Sequence, residues 1–112
     1  MKIDIGRTFE YRTVSLIRQI DDIAIDPITG IMYAINDGGS ASTEYYLVTI
    51  DTETAEGNVV GIFTDQSGNV ITDFEGIGFS EDGQLYGVTG EQSAVFKDRA
   101  FTINKENAEV EL

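Results

Sequence analysis

Asp21 and Asp22, then Asp73 and Glu75, form two closely spaced acidic groups, each at the head of a β-rich stretch of the chain. Carboxylates in such matched places can do two kinds of chemistry. Gathered about an axis they bind a hard cation, since Ca²⁺ takes about six to eight oxygen ligands and carboxylates are its natural donors. Asn36 and Asp37 close the next strand and could add oxygens. The expected metal ligands are therefore Asp21, Asp73 and Glu75, with Ca²⁺ as the ion. Alternatively, Asp73 and Glu75 could act as an acid–base pair in glycoside hydrolysis. Residues two apart on a strand point the same way, with Cα atoms about 6.5 Å apart. No sugar cleft is marked in the sequence, and capping a turn is the competing role for each acid. The segment 65–69 (D-Q-S-G-N) matches a calcium-loop spacing only in part.

A second candidate is aromatic. Tyr45 and Tyr46, with Phe96 in the corresponding later loop, could stack on a sugar or a peptide. Adjacent strand residues face opposite sides, so one Tyr is expected in the core and the other at the rim. With Asn36 and Asp37 these two form the expected ligand-binding set.

Composition removes more chemistry than it offers. The 112 residues contain no histidine and no cysteine. Ser-His-Asp and Cys-His nucleophiles, imidazole bases and ordinary zinc sites are excluded, and so are disulfides. Seven basic against twenty acidic residues give a net charge of −13. That field repels nucleic acid and anionic membrane, and it keeps strand edges from pairing at random. No stretch approaches the ~20 apolar residues of a membrane-spanning helix. The opening M-K-I-D-I-G-R has no apolar run of the signal-peptide kind, and the cellular compartment is left open.

The elements that must position these residues are written twice. From residue 30 to 56 the chain aligns without a gap on residues 83 to 109, with identical residues at 9 of 27 positions. Gly30/Gly83, Tyr33/Tyr86, Thr49/Thr102, Ile50/Ile103 and Ala55/Ala108 are among them; chance would give roughly two, so a structural unit is duplicated. Each copy predicts four strands: 20–26, 31–36, 45–51 and 59–63 in the first, with 84–89 and 99–104 as the second and third of the second copy. The turn 81–83 (E-D-G) joins two strands as a hairpin. No 3.6-residue period appears. Ile23, Ala24 and Ile25, like Ile77, Gly78 and Phe79, are apolar on both sides, which predicts strands covered on both faces, and the return strands 31–36 and 84–89 are read the same way through Met32, Tyr33, Ala34 and Ile35.

Four-stranded repeats of this length, apolar on both faces, have the form of β-propeller blades. "I-A-I-D-P-I-T-G-I-M-Y-A-I-N" followed by "F-E-G-I-G-F-S-E-D-G-Q-L-Y-G-V-T" resembles blades of the broad superfamily of NHL-type, regucalcin-like and esterase-like phytase propellers. The resemblance covers about residues 20–109. It implies an all-β propeller with two blades per chain, 20–63 and 64–112. In the regucalcin-like members an axial metal held by Glu, Asp and Asn is the active centre. That implies Asp21, Glu75 and Asn36 as ligands of a metal-dependent hydrolase.

Closed propellers carry about four to eight blades, each covering the next. Two blades alone leave apolar flanks in water, a mark of assembly. The expected arrangement is therefore a ring closed by homo-oligomerisation, six blades as a trimer. An excised or designed fragment without a function of its own is the remaining option. Residues 1–19 echo 57–72 and are expected to complete a neighbouring blade. The expected function is non-enzymatic: a binding scaffold whose loops meet a protein or carbohydrate partner.

Overall fold

The computed structural model describes residues 20–37, 44–93 and 96–112. The leading strands expected within 1–19 lie outside these residues, as does most of the loop after Asp37. The described chain folds as eight strands in two antiparallel sheets. The first holds β1 (Ile20–Ile25), β2 (Met32–Asn36), β3 (Tyr46–Ile50) and β4 (Gly57–Ile62). The second holds β5 (Phe74–Phe79), β6 (Leu85–Thr89), β7 (Ala100–Ile103) and β8 (Val110–Glu111). Each sheet follows chain order, so each repeat is one meander.

Turn chemistry sets the register. Asp26 ends β1 and its carboxylate accepts the N–H groups of Ile28 (2.8 Å) and Thr29 (3.4 Å). The chain reverses through Gly30 at φ 78. The twin turn is one residue shorter and reverses through Gly83 at φ 89. The β3–β4 and β7–β8 turns are copies of each other. Asp51 accepts from Glu53 (2.8 Å) as Asn104 does from Glu106 (2.8 Å), and Ala55 and Ala108 sit at φ 64 and 66.

The registers make the equivalences explicit. Asp22, Ala24, Tyr33, Ile35 and Leu47 occupy the places of Gly76, Gly78, Tyr86, Val88 and Ala100. On the opposite face, Ile23, Ile25, Met32, Ala34 and Val48 match Ile77, Phe79, Leu85, Gly87 and Phe101. The sheets stack with unlike faces together. Tyr33, Ile35 and Leu47 of the first share one core with Phe74, Leu85, Phe101 and Ile103 of the second, and Ile77 and Phe79 pack against it. Phe63 and Ile71, from the connection, fill the centre with no exposure, and Phe63 stacks on Phe74 at 4.0 Å. Burying each such side chain contributes roughly 1.5–3 kcal/mol.

Within the single chain, two strands keep one apolar face open, as two blades alone are expected to do. β1 was expected to be covered on both faces, yet Ile23 and Ile25 are 44% and 54% exposed. β6 was expected to be covered likewise, yet Tyr86 and Val88 are each 44% exposed. In both places the neighbouring sheet covers the other face of the strand; on the outer flank of the first sheet β1 stands open while Met32, Ala34 and Val48 beside it are buried. β2 meets the expectation, with all five residues buried. Met32, Ala34, Val48 and Ile50 form a second core with Tyr46 on the outer flank of the first sheet.

β8 is short, two residues long. It pairs with Thr102 and Ile103 alone, whereas β4 follows β3 along its length. The Val110 N–H donates to the Thr64 carbonyl (2.8 Å), tying this strand back to the connection between the sheets.

Candidate functional site

The acidic rim lies at the start of the first strand of each sheet, β1 and β5. β1 and β5 each carry a β-bulge at the same place, between Ile20 and Asp22 and between Phe74 and Gly76. The residues lifted out of register are Asp21 and Glu75. A bulge re-aims its side chain away from the ladder, so the repeat displays a carboxylate at matching points of both sheets.

Asp21 hydrogen-bonds the carboxyl of Asp37. Burial, then the Asp37 charge and this bond, hold its pKa above the ordinary carboxylate range. Tyr45 stands beside them, half-buried, with its ring 6.0 Å from Phe74. Burial raises its hydroxyl pKa, and the charges of Asp37, Asp73 and Asp21 raise it further. Asp73 adopts a left-handed backbone (φ 57). That turn lets its carbonyl accept the Gly90 N–H (2.9 Å) and its carboxylate the Gln92 N–H (2.8 Å). Glu75 leans over the same glycine. A Cβ at residue 90 would lie 2.7 Å from Asp73 Oδ2 and closer still to Glu75, so a side chain there would push these two carboxylate ends aside.

The structure thus brings Asp21, Asp37, Tyr45 and Asp73 into one electrostatic neighbourhood, with Glu75 joining Asp73 over Gly90. It does not bring the whole expected set together. Asn36 is buried within β2 and pairs in register with Ile20 and Tyr46. The Tyr46 ring belongs to the outer-flank core, and its hydroxyl donates to Glu44 (2.7 Å). Asp22, the fourth acid, stitches the sheets: its Oδ2 accepts the Ile77 N–H at 2.9 Å. Phe96, the aromatic of the matching loop, is buried against Phe101. Among the described residues no group of three or more acidic side chains is close enough to hold a metal ion. The rim as described can hydrogen-bond donors and attract cationic groups.

The opposite rim holds a pair that sequence reasoning missed. Asp26, fully buried at the end of β1, meets Lys105 from the β7–β8 turn at 2.7 Å. The Lys105 hydrogen bond is the main cause holding Asp26 below the ordinary carboxylate range. The same bond raises Lys105. The ammonium also lies 5.6 Å from the centre of the Phe79 ring, a favourable place for a cation. A signal was available in the repeat: Ser80 stands where Asp26 does, and Thr52 where Lys105 does. Beside this pair runs a groove of about 530 Å³ lined by Tyr33, Gln84, Lys105, Glu106 and Glu109.

Compared with known proteins, the chain matches no protein-family model and no curated sequence.

Proposed function

We propose that this chain is a two-bladed β-propeller unit that closes its ring by homo-oligomerisation, three copies giving six blades. In that ring it acts as a non-enzymatic binding scaffold, offering its acidic rim and loops to a protein or carbohydrate partner. One observation carries the reading. Two copies of a repeat stack with unlike faces together, and the face that buries Tyr33 and Ile35 in the first copy is left open at Tyr86 and Val88 in the second. A head-to-tail contact between like units generates either a ring or an open filament. Four-stranded meanders stacked in this way are the building principle of propellers. The carboxylates at Asp21, Asp37 and Asp73, with Tyr45 beside them, suit a ligand that supplies hydrogen-bond donors or positive charge.

The test is mass in solution by light scattering. Three copies of the 12.3 kDa chain are expected, and a monomer at every concentration overturns the ring. A calcium titration tests the scaffold reading separately. If Ca²⁺ raises Tm and Asp21→Asn with Glu75→Gln abolishes the rise, the rim is a metal centre and the non-enzymatic reading falls.

A further inference from the structure

We infer that the open Tyr86 and Val88 face of one copy seats Ile23 and Ile25 of a second copy, repeating between chains the contact that joins the sheets within one. This inference rests on the self-association reading above and specifies the surface that reading leaves open.

The internal contact is the template. There β1 and β2 of the first sheet lie against β5 of the second. Tyr33 and Ile35 supply one side, at 7% and 0% exposure. Ile77 and Phe79 supply the other, and the Tyr33 and Phe79 rings meet at 5.5 Å. Advancing one repeat puts β5 and β6 of one copy against β1 of the next. The residues called for are Tyr86 and Val88 on one side, Ile23 and Ile25 on the other. These four are 44–54% exposed in the single chain, an unusual cost for large apolar side chains grouped on strands.

The shape agrees. Gly76 and Gly78 stand where the first sheet has Asp22 and Ala24, and with Tyr86, Val88 and Ala100 they line an open groove of about 250 Å³. An isoleucine flank can therefore approach the backbone of β5 closely. The occupant is a copy of this chain because the contact continues one already built between these same faces.

The two contacts differ in their polar ties. Within the chain, Asp22 binds the Ile77 N–H and Asp26 binds Lys105. One repeat on, Gly76 has no side chain, and Ser80 faces Thr52 in place of the ion pair. The contact between copies is therefore apolar and without a salt bridge. Copies of charge −13 also repel one another at long range, so association strengthens as salt rises.

Two double variants test the inference: Tyr86→Glu with Val88→Glu, and Ile23→Glu with Ile25→Glu. Tyr86→Thr with Val88→Thr and Ile23→Thr with Ile25→Thr repeat the test with a residue suited to strands, with circular dichroism checking that each folds. Either variant alone is expected to be monomeric. Mixed one to one, the two retain one good face each and form a dimer and nothing larger. If the wild type assembles and either folded variant keeps its full mass, this surface is wrong and self-association stands. A mixture that stays monomeric, or a variant that pairs with itself, also overturns it. A wild type that never assembles removes the ring and this inference together.

Discussion

Tyr33 and Tyr86 are the same residue at the same position of the same repeat, yet one is 7% exposed and the other 44%. Ile35 and Val88, two positions on, diverge further, at 0% and 44%. The strands that carry them have the same partners in the same register. What differs is the next sheet: present for the first pair, absent for the second. In this architecture burial is a property of stacking and not of the strand, so a residue's energetic weight depends on whether a neighbouring sheet covers it.

The largest expected effect tests that statement directly. In dilute single chains Ile35→Ala leaves a cavity against Leu85 and Phe101 and costs about 2–5 kcal/mol. The matched change Val88→Ala costs about 1 kcal/mol or less, because no sheet covers its 44% exposed side chain. Urea unfolding at low protein concentration measures both. Equal costs would break the comparison. Repeating Val88→Ala at a concentration where the wild type assembles sharpens it, since the cost is then expected to grow.

Much of this was legible in the sequence, because repetition and turn chemistry are local. The matched strands and the hairpin glycines follow from residue types and spacing. That two blades alone leave apolar flanks open also followed; which strands would carry the open faces did not. Ile23, Ala24 and Ile25 tell what β1 can tolerate on each side, but not whether a neighbour is there. The split of the site was equally hidden. Asn36 and Asp37 are adjacent in sequence, yet alternation sends Asn36 into the sheet interior while Asp37 reaches Asp21. The Asp26–Lys105 pair joins residues 79 positions apart, and only the repeat's own mismatches at Ser80 and Thr52 hinted at it.

That ion pair is the second point at which the contacts can be told apart, and pH reads it. Asp26 has a folded pKa below its ordinary value. Its stabilisation is therefore present above about pH 4 and is lost as pH falls through the folded value. Lys105 is shifted upward, so its share is present below about pH 10 and is lost as pH rises through its own folded value. Lys105→Met should lower Tm at pH 7 by more than any change at Thr52, and the gap to wild type should close toward pH 2. A gap that is constant from pH 7 to pH 2 would show that the pair contributes nothing specific. Building the pair between copies, with Ser80→Asp and Thr52→Lys, is expected to tighten association on the order of tenfold.

A smaller effect separates the rim from the rest of the first sheet. Asp21 is shifted upward, by burial first and by Asp37 second. A carboxyl that holds its proton more tightly when folded opposes folding once it ionises, so stability falls as pH rises through its range. Asp21→Asn should therefore raise Tm slightly at pH 7 and leave it unchanged at pH 3. A loss at pH 7 would mean that the Asp21 charge is used, as a bound cation would use it.

The smallest effect concerns the one feature that the two copies share almost perfectly. Ala55 and Ala108 hold φ values of 64 and 66 in twin turns, and each N–H donates to the residue four back, Asp51 and Asn104 (2.7 and 2.8 Å). Glycine would relieve about 1–2 kcal/mol of left-handed strain at either site. Against that stand about 0.4–1 kcal/mol of added freedom in the unfolded chain and up to about 0.8 kcal/mol for a lost buried methyl. Ala108 has no exposure, and its Cβ lies close under Gly61 of β4; Ala55 keeps 7%. Ala55→Gly should therefore be neutral to mildly stabilising and Ala108→Gly slightly less favourable, a difference of about 0.5 kcal/mol or less. Thermal melts of the two variants side by side measure it. A much larger loss at Ala108 would show that the second turn, and not only Asp26 and Lys105, fixes how the sheets dock.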